Sequence, residues 1–557
     1  MKKRRSGLKI MSSLIVMLGS LSYIMLLAVF NGTLGFICAM GVTVFASLGV
    51  SKFLGEAISL SYSWIIGLTI LSGLLRGGLR YIEQYSNHFI AFKLLAKLRD
   101  KIFSALRVLA PAKLESKQKG SIIAMITSDI ETLEVFYAHT ISPICIAIMV
   151  SLVVLIYVGV LSTPYFALIA LFFYIVIGVI IPLISSKLLN NSGVRYRAIF
   201  ASFNAYFLDS IKGVKDIVLN NASKTRRDEV NKKSDELLVE TKNMKHKGGF
   251  IAAMTETSVS IAIVVTLLLG IIMVKNDVIS IGKMIIGVVA IFGSFGPVIA
   301  LASLPQNLTQ TFASGDRVLD LLNEKPVVSE IKGKNDFNYE ALNVSNLNFG
   351  YDDSLVLKDI SLNAKKGEII GIVGESGCGK STLMKLLLRF WKKSSGNILY
   401  NDIDIEDINT DSLLKNVTMV SQSTYLFDDT IKENLKIAKA DAKDEEIIEA
   451  CKMASIHDFI SKLPDGYDTP VGALGDNLSA GEKQRIGLAR AFLRNAELIL
   501  LDEPTSNVDS INEGIILKSL ALQKRKRSII LVSHRESTMA IADRVYKIEN
   551  GHISIKE

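Results

Sequence analysis

Long apolar runs fill the first 305 residues of the chain, whereas short apolar runs between polar stretches fill the rest. A helix needs about 20 mainly apolar residues to cross the hydrocarbon core of a bilayer. The long runs therefore predict membrane-spanning helices. They cover residues 8–50, with a break near Asn31 and Gly32, and residues 61–75, 141–161, 165–184, 250–274 and 281–304.

The connections between these runs are of two kinds. Two of them, residues 76–139 and 187–247, are long, helical in pattern and rich in Lys and Arg. Because cytosolic loops carry the excess of Lys and Arg, both are predicted to be cytosolic. The other connections are short and carry little net charge, at residues 51–60, 162–164 and 275–280.

Apolar positions recur at roughly helical period over residues 93–109 and 194–215. This periodicity predicts that the membrane helices continue well into the cytosol. The long helices are then expected to turn near residues 111–116 and 211–216.

From residue 342 onward, strand-like runs alternate with helices, the pattern of an α/β domain. One run, residues 369–373, leads into the spacing G-x-x-x-x-G-K-S, which is typical of a phosphate-binding loop. Its glycines let backbone N–H groups converge on phosphate oxygens, and the helix opening near Lys380 adds its positive dipole end. Ser381 would hold Mg²⁺. The nucleotide-binding candidates of this loop are Gly374, Glu375, Ser376, Gly377, Cys378, Gly379, Lys380, Ser381 and Thr382.

A second apolar run, residues 498–501, ends in Asp502 and Glu503. A buried strand of this kind would present Asp502 to the Mg²⁺ shell, and Glu503 beside it can accept a proton from an attacking water. The position of this acid pair, after a phosphate loop and before His534, favours a catalytic role.

The number of spans follows from where the two ends of the chain must lie. If residues 8–30 and 34–50 each crossed, seven spans would place the basic N-terminus and the nucleotide-binding part on opposite sides. Both belong in the cytosol, so we predict six spans, with the first run forming one long or bent helix. The predicted domains are a transmembrane domain over residues 1–310, a linker over 311–340 and an ATP-binding domain over 341–557.

Composition fits a membrane part joined to a soluble part. The 557 residues carry a net charge of +9 and are 21% charged, and their mean hydropathy is +0.36. The Lys and Arg residues cluster in loops beside apolar runs, so membrane topology explains the charge and no nucleic-acid partner is expected. The four cysteines show neither a C-x-x-C nor a metal spacing, which suits a reduced cytosol; they are Cys38, Cys145, Cys378 and Cys451.

The segment 478–485, Leu-Ser-Ala-Gly-Glu-Lys-Gln-Arg, resembles the LSGGQ signature of ATP-binding cassette (ABC) proteins. The order of motifs also matches that family: Tyr351, the phosphate loop, Gln422, the signature, Asp502 with Glu503, residues 506–509 and His534. With six predicted spans ahead of these motifs, the whole chain resembles an ABC exporter half-transporter. The expected fold is a six-span α-helical membrane domain of the ABC exporter type, followed by an α/β P-loop nucleotide-binding domain.

The resemblance implies roles for individual residues. Tyr351 would stack on adenine, although its tripeptide could also be plain strand. Glu503, His534 and Gln422 would act in hydrolysis. The implied Mg²⁺ ligands are Ser381, Gln422 and Asp502, and Ser479 and Gly481 would bind ATP.

In that family two nucleotide-binding domains meet head to tail, so a second half-transporter is an implied partner. The signature departs from the family pattern, because Ala480 replaces a Gly and Glu482 replaces the Gln. The added methyl group either weakens the site that this chain completes or is tolerated. Unequal sites would favour a heterodimer over a homodimer. Cys378 is either a redox switch or a small residue at a variable position.

The segment 75–92 places charged and aromatic residues on two adjacent faces of one helix. Ionisable groups near membrane depth usually face a cavity or partner helices, so a small zwitterionic or anionic solute could bind here. One face carries Arg76, Arg80, Glu83 and Asn87, and the other carries Tyr81, Gln84, His88 and Phe92.

This segment, together with residues 129–134 and 139–143, resembles the C-type subunit of the bacterial cysteine/glutathione exporter needed for cytochrome bd assembly. In that family the histidine matching His88 is associated with haem. His88 is therefore either an axial ligand or a polar helix residue at the bilayer edge. The candidates for binding substrate or haem are Arg76, Arg80, Tyr81, Glu83 and His88.

The sequence thus predicts a multi-pass protein of the bacterial cytoplasmic membrane that exports a small thiol such as cysteine or glutathione. Its cofactors would be ATP and Mg²⁺, with haem as a further candidate, and its partners a second half-transporter, membrane lipid and the cargo. Two alternatives remain open. One is an ABC exporter of peptide, drug, lipid or siderophore cargo, and the other is a haem-binding, ATPase-linked sensor.

Overall fold

The computed structural model describes residues 5–115, 119–352, 354–505, 508–524 and 526–556. These residues form two compact units. The first, the helical unit, comprises Met1–Leu106 and Lys117–Glu324, and the second, the α/β unit, comprises Arg107–Ser116 and Lys325–Glu557. The domain boundaries proposed from the sequence stay a prediction.

Thirteen helices precede the first strand within the described residues. Five-residue π-helical turns at Met125–Asp129, Tyr137–Ile141 and Val176–Ile180 join neighbouring helices without a break. The helices are α1 (Gly7–Val16), α2 (Ser22–Phe53), α3 (Tyr62–Leu109), α4 (Ala112–Glu115), α5 (Lys119–Ala124), α6 (Ile130–Phe136), α7 (Ser142–Leu161), α8 (Pro164–Ile175), α9 (Ile181–Lys212), α10 (Val214–Leu219), α11 (Ser223–Lys275), α12 (Ile281–Ser294) and α13 (Gly296–Leu322).

Six helical segments within the described ranges are long and apolar enough to cross a membrane, which confirms the predicted six spans. The segments are Gly19–Phe53, Tyr62–Leu109, Gly120–Leu161, Pro164–Leu188, Ser223–Lys275 and Ile281–Ala302.

The first apolar run forms the bent helix that was predicted: it bends at Gly19 and is unbroken at Asn31 and Gly32, where the apolar pattern is interrupted. Gly19 has a φ of +50°, which ends the helical path between α1 and α2. The amide of Asn31 donates to the carbonyl of Leu27 at 2.7 Å, so this polar residue is satisfied inside α2. Gly32 serves close packing, because an added Cβ would collide with Ile146.

The longest helices extend well beyond a bilayer. With a rise of about 1.5 Å per residue, the 48 residues of α3 and the 53 residues of α11 reach about 70 to 80 Å. This agrees with the helical continuation expected from the periodicity. The turn expected at residues 211–216 is the break at Gly213 between α9 and α10.

The last helix of the helical unit, α13, is fixed by ionic contacts on two sides. Arg317 donates through Nε to the Asp129 carboxylate at 2.7 Å, and Ser314 donates to the same group at 2.9 Å. Arg5 pairs with Asp316 at 2.7 Å. These contacts tie the N-terminal segment and the π-turn before α6 to α13.

The described residues of the α/β unit form two sheets. The first is antiparallel with order β2-β1-β4-β5, and the second has order β10-β9-β3-β8-β7-β6 and is parallel except for the β9–β10 pair. The strands are β1 (Ala341–Phe349), β2 (Leu357–Lys365), β3 (Ile369–Val373), β4 (Ser395–Tyr400), β5 (Ile403–Asp404), β6 (Val417–Val420), β7 (Leu498–Asp502), β8 (Ser528–Ser533), β9 (Arg544–Glu549) and β10 (His552–Lys556).

Helices complete this unit and cover the parallel sheet. Every residue of β3, β7 and β8 is buried, as expected for parallel strands covered on both faces. The predicted α/β fold is therefore confirmed. The helices are α14 (Lys380–Leu387), α15 (Thr410–Asn416), α16 (Ile431–Lys436), α17 (Asp444–Met453), α18 (His457–Ile460), α19 (Ala480–Arg494) and α20 (Ser510–Leu522).

Candidate functional site

The order of the parallel strands decides which loops meet. Strands β3, β8, β7 and β6 are consecutive neighbours in the sheet, so their carboxyl ends lie along one edge. Ligands of open α/β sheets bind outside this edge. The loops that follow these four strands carry the phosphate loop, His534, Glu503 and Gln422.

The phosphate loop has the backbone shape that its glycines predict. Gly377 and Gly379 have φ values of +86° and +107°, which side chains other than hydrogen rarely allow. Helix α14 begins directly afterwards at Lys380. The Lys380 ammonium donates to the carbonyls of Gly374 and Glu375 at 2.8 and 2.7 Å, so its charge is held inside the loop.

Ser381 and Asp502 form the candidate magnesium site. The Ser381 hydroxyl donates to the Asp502 carboxylate at 2.9 Å, at the point where α14 begins and β7 ends. Burial raises the pKa of Asp502, and the neighbouring Glu503 charge raises it further, whereas the Ser381 hydrogen bond and the charges of Lys385 and Lys380 lower it. Hard oxygen donors of this kind fit Mg²⁺ bound partly by phosphate oxygens and water. Accordingly, the described residues contain no closed cage of His, Cys, Asp and Glu ligands.

Glu503 lies at the centre of a three-residue cluster. Gln422 donates through Nε2 to Glu503 Oε2 at 3.0 Å, and His534 Nδ1 lies 3.3 Å from Glu503 Oε1. Glu503 has a φ of +49°, and its N–H donates to the carbonyl of Val532 on β8 at 2.9 Å. The backbone is thus anchored to β8, and the contacts with Gln422 and His534 orient the carboxylate. All three predicted catalytic residues therefore converge.

Tyr351 lies against the phosphate loop and against a residue that the sequence did not indicate. Its hydroxyl is 3.1 Å from the Thr382 hydroxyl, and its ring meets the Trp391 ring edge-on with centroids 4.9 Å apart. Trp391 follows α14, and the only sequence signal for it is an aromatic residue close to the end of the phosphate-loop helix.

The signature segment forms the start of α19, where Ser479 and Ala480 are exposed and Leu478 and Gly481 are buried. Ser479 is the N-cap, and its hydroxyl accepts from the N–H of Glu482 at 3.3 Å while the Glu482 carboxylate accepts from the N–H of Ser479 at 2.8 Å. Ala480 is the exposed first helical residue, and Gly481 packs next to Asn512. No described hydrogen bond joins Ser479 to the phosphate loop. Ser506 and Asn507 of the motif at 506–509 lie outside the described residues.

In the helical unit, the structure groups some of the candidates from α3. Arg80 pairs with Glu83 at 2.5 Å, and Glu83 is only 2% exposed. His88 Nδ1 lies 3.6 Å from Glu134, and the His88 and His139 rings meet edge-on at 5.4 Å. Arg76 and Tyr81 are exposed, and no described hydrogen bond joins either of them to Glu83. Glu134 and His139 were not chosen as site residues from the sequence, because they are distant from His88 along the chain.

Glu256 is another ionisable residue that the sequence interpretation missed. It lies in α11 within an apolar run, and its carboxylate is exposed beside Thr257 and Ser260. These residues line a hollow of about 350 Å³ with Ile261 and Val264. A charged residue in a membrane span is a functional candidate, and that signal was present in the sequence.

Comparisons with known proteins match both the helical unit and the α/β unit to ABC transporters. The model of the ABC transporter transmembrane region matches residues 10–298, and the ABC transporter model matches residues 357–506. A probable ABC transporter ATP-binding/permease protein of Haemophilus influenzae is 48% identical over 552 residues, which cover 99% of this chain and 100% of that protein. A putative multidrug export ATP-binding/permease protein of Staphylococcus aureus is 32% identical over 489 residues, covering 86% of this chain and 83% of that protein.

A solved structure shows the same fold. The structure of a bacterial Atm1-family ABC exporter with ATP bound aligns with a TM-score of 0.80 at 21% identity, covering 96% of this chain and 94% of that chain. The names of these relatives describe general ABC transport or multidrug export, and none refers to cysteine, glutathione or cytochrome assembly. The chain therefore belongs to the ABC transporter family, as an exporter half-transporter that joins one membrane-spanning region to one ATP-hydrolysing domain.

Proposed function

We propose that this half-transporter exports a small zwitterionic solute of the cysteine or glutathione class. ATP-driven export follows from the family, whereas the cargo is inferred from the helical unit. The observation that carries the inference is the ion pair of Arg80 with the buried Glu83 on a membrane-spanning helix. Ionisable groups at such positions face a cavity or partner helices rather than lipid. The Arg80 guanidinium is half exposed after this pairing, so it retains donors for a cargo carboxylate.

Each residue of the ATP site has a task that its position suggests. Lys380 and the backbone N–H groups of the phosphate loop bind the phosphates. Ser381 and Asp502 would hold Mg²⁺, which when bound neutralises charge on the phosphate oxygens. Glu503 accepts the proton of the attacking water, and His534 and Gln422 keep its carboxylate oriented. Tyr351 contacts adenine.

A second chain would complete two surfaces. Ser479 and Ala480 are exposed at the N-terminus of α19, where the first N–H groups of the helix, together with Gly481, can bind phosphate on the facing chain. The turn around α10 exposes apolar side chains that a partner would cover: Ile211, Val214, Val218 and Leu219 are 55–71% exposed. The extra methyl group of Ala480 favours a heterodimer, with a homodimer as the alternative.

For ATP binding to drive transport, movement of the nucleotide-binding domain must be transmitted to the membrane-spanning helices. The short helix α4 follows α3 and is part of the α/β unit, where Glu115 pairs with Lys385 of α14 at 2.9 Å. Helix α14 also carries the phosphate loop. We infer that nucleotide-dependent movement of α14 reaches α3, and with it Arg80 and Glu83, through this connection.

Transport into inverted vesicles tests the cargo. Radiolabelled cysteine or glutathione should accumulate with ATP in vesicles that contain this chain and its partner. Replacing Glu83→Gln should reduce uptake about tenfold or more, because it removes the charge that orients Arg80. The matched control is Glu56→Gln, a change of the same kind in the connection between α2 and α3. If neither thiol accumulates nor stimulates ATP hydrolysis, the thiol assignment is wrong.

Two other functions have specific support. The ring ladder of Tyr81, Tyr85 and Phe89, with centroids 6.2 and 6.3 Å apart, suits a bulkier apolar cargo, as in a multidrug exporter. A haem-binding role would use Nε2 of His88, because Nδ1 faces Glu134. The haem-binding role is tested by titrating the purified wild-type protein and the His88→Ala variant with haem. If the two proteins give the same Soret spectrum, His88 is not a haem ligand.

A further inference from the structure

A cavity of about 250 Å³ lies in the α/β unit, away from the phosphate loop. The segment that enters this unit forms one wall through Val328 and Ile331, and the end of α14 forms another through Leu386. Arg389, Trp391 and Lys392 also line the cavity. At about 30 Å³ per water molecule, the volume equals roughly eight waters, so it suits one small organic molecule rather than a nucleotide.

The cavity carries an excess of positive charge. Arg389 is 7% exposed, and its guanidinium donates only to neutral acceptors: the carbonyls of Ile405 and Ile408 at 2.5 and 2.7 Å and the Thr410 hydroxyl at 2.6 Å. No described carboxylate pairs with Arg389. A buried cation satisfied by neutral groups alone favours an anion nearby.

The remaining charges do not cancel this excess. Lys393 is already paired with Asp404 at 2.6 Å. Lys392 is exposed and pairs with no carboxylate among the described residues. Glu406 is the single acid on the lining, and although its charge acts on Arg389, it forms no close ion pair with Arg389 or with Lys392.

Trp391 adds an unused donor and a connection to the ATP site. Its indole Nε1 is buried, and no described residue accepts its hydrogen. Its ring also meets Tyr351 edge-on at 4.9 Å and Phe349 at 5.9 Å. A ligand beside Trp391 therefore touches the residue that supports the adenine-contacting tyrosine.

We propose that this cavity is a regulatory site for a small organic acid. Its apolar body lies against Val328, Ile331 and Leu386, and its carboxylate faces Arg389 and Lys392. Occupancy shifts Trp391 and thereby Tyr351, which changes the affinity for ATP. This last step rests on the proposed role of Tyr351, whereas binding of the acid does not.

The chain contains two tryptophans, Trp64 and Trp391, which makes the site directly observable. In full-length protein carrying Trp64→Phe, Trp391 is the sole tryptophan. Titration with benzoate should change its emission saturably, and saturation-transfer NMR on benzoate should give the same affinity. Benzamide, which has the same shape without the charge, should bind at least about fivefold more weakly.

Two variants test the location. Lys392→Gln should weaken benzoate binding about fivefold, whereas the control Lys415→Gln on α15 should not change it. Val328→Phe should fill the cavity and abolish binding without loss of ATP hydrolysis. If benzoate gives no saturable signal by either method, or binds Lys392→Gln and Lys415→Gln equally, the site is overturned.

The proposed effect of the bound acid on ATP binding is tested separately, by measuring the affinity for ATP with and without benzoate. The affinity for ATP should change at least twofold between saturating benzoate and none. If benzoate binds but the affinity for ATP is unchanged, regulation is refuted and the binding site stands. If Tyr351→Ala leaves the affinity for ATP unaltered while benzoate still binds, the failure lies in the proposed role of Tyr351.

Discussion

Glu503 and the pair Ser381–Asp502 form separate sets of contacts at the candidate ATP site. The Glu503 backbone is held at positive φ by a hydrogen bond to β8, and its carboxylate contacts Gln422 and His534. Ser381 and Asp502 form a separate pair. The group that would accept a proton is thus distinct from the groups that would hold Mg²⁺ and phosphate, so the two tasks can be separated by mutation.

Replacing Glu503→Gln should lower ATP hydrolysis about 10²- to 10⁴-fold, because the amide cannot accept a proton. ATP binding should be retained, since Lys380, Ser381 and Asp502 are unchanged. Phosphate release and nucleotide binding measure the two effects. Glu497→Gln, just before the same strand, is the matched control, and normal turnover in Glu503→Gln would contradict the assignment.

A second residue-scale prediction concerns pH. Glu368 accepts from Arg544 Nε and Nη2 at 2.6 and 2.7 Å, and these hydrogen bonds hold the pKa of Glu368 below its usual value. Since the folded pKa lies below the unfolded one, the stabilisation is complete above about pH 4.3 and is lost as pH falls through the folded value.

Glu368→Gln should therefore lower the free energy of unfolding by about 1 kcal/mol at pH 7, a figure reduced for partial exposure. Its difference from the wild type should shrink as the pH falls below 4. Thermal unfolding in detergent measures both. Glu549→Gln, in an exposed pair with Lys547, is the control, and a difference that stays constant down to pH 3 would exclude the ion pair as the cause.

At the scale of elements, the start of α19 explains one departure from the family signature. Glu482 occupies the third helical position, where its carboxylate accepts from the N–H of Ser479 in a capping box. An acid in the first turn also interacts favourably with the helix dipole. Glutamate is thus a structurally suitable residue at this position. The structure gives no comparable reason for Ala480.

A variant that removes the capping hydrogen bond of Glu482 should lower the stability of the protein, whereas a variant that keeps a hydrogen-bond acceptor at this position should not. Glu482→Ala is expected to reduce stability by about 1 kcal/mol, whereas Glu482→Gln keeps an acceptor and should change it by less than about 0.5 kcal/mol. Thermal unfolding of the two variants side by side measures the difference. Equal losses in both would show that the charge, rather than the cap, matters.

At the scale of the whole molecule, one chain contains only half of what each ATP site needs if the proposed dimer forms. The exposed signature and the exposed apolar turn around α10 then have the same explanation, a second half-transporter. The exposed side chains of this turn would be unfavourable in water without such a partner.

Placing a charge in that turn should disrupt the assembly. Leu219 is 71% exposed, and Leu219→Glu should lower the ATP hydrolysis of the complex about tenfold, because a buried unpaired charge opposes contact. Asn220→Glu, one residue further on, is the control. Co-purification and hydrolysis measure the effect, and equal behaviour of both variants would remove α10 from the interface.

The sequence by itself determined the features that depend on neighbours in the chain. Hydropathy over about 20 residues located the spans, and the requirement that both chain ends lie in the cytosol set their number at six. Fixed spacings identified the phosphate loop, the acid pair after β7 and the signature. These signals are local, because each reflects the lipid environment or the backbone geometry of one segment. The first run is the long or bent helix that was predicted, whereas the position of its bend at Gly19 depends on one backbone angle, which hydropathy does not report.

Only the tertiary structure decided which distant residues meet. Gln422 and His534 reach Glu503 because β6 and β8 flank β7, and strand order depends on the packing of the whole unit. The same holds for His88 with Glu134 and His139, and for Trp391 behind Tyr351. Sequence spacing carries no information on such contacts, since they arise when separate elements bury their apolar faces together.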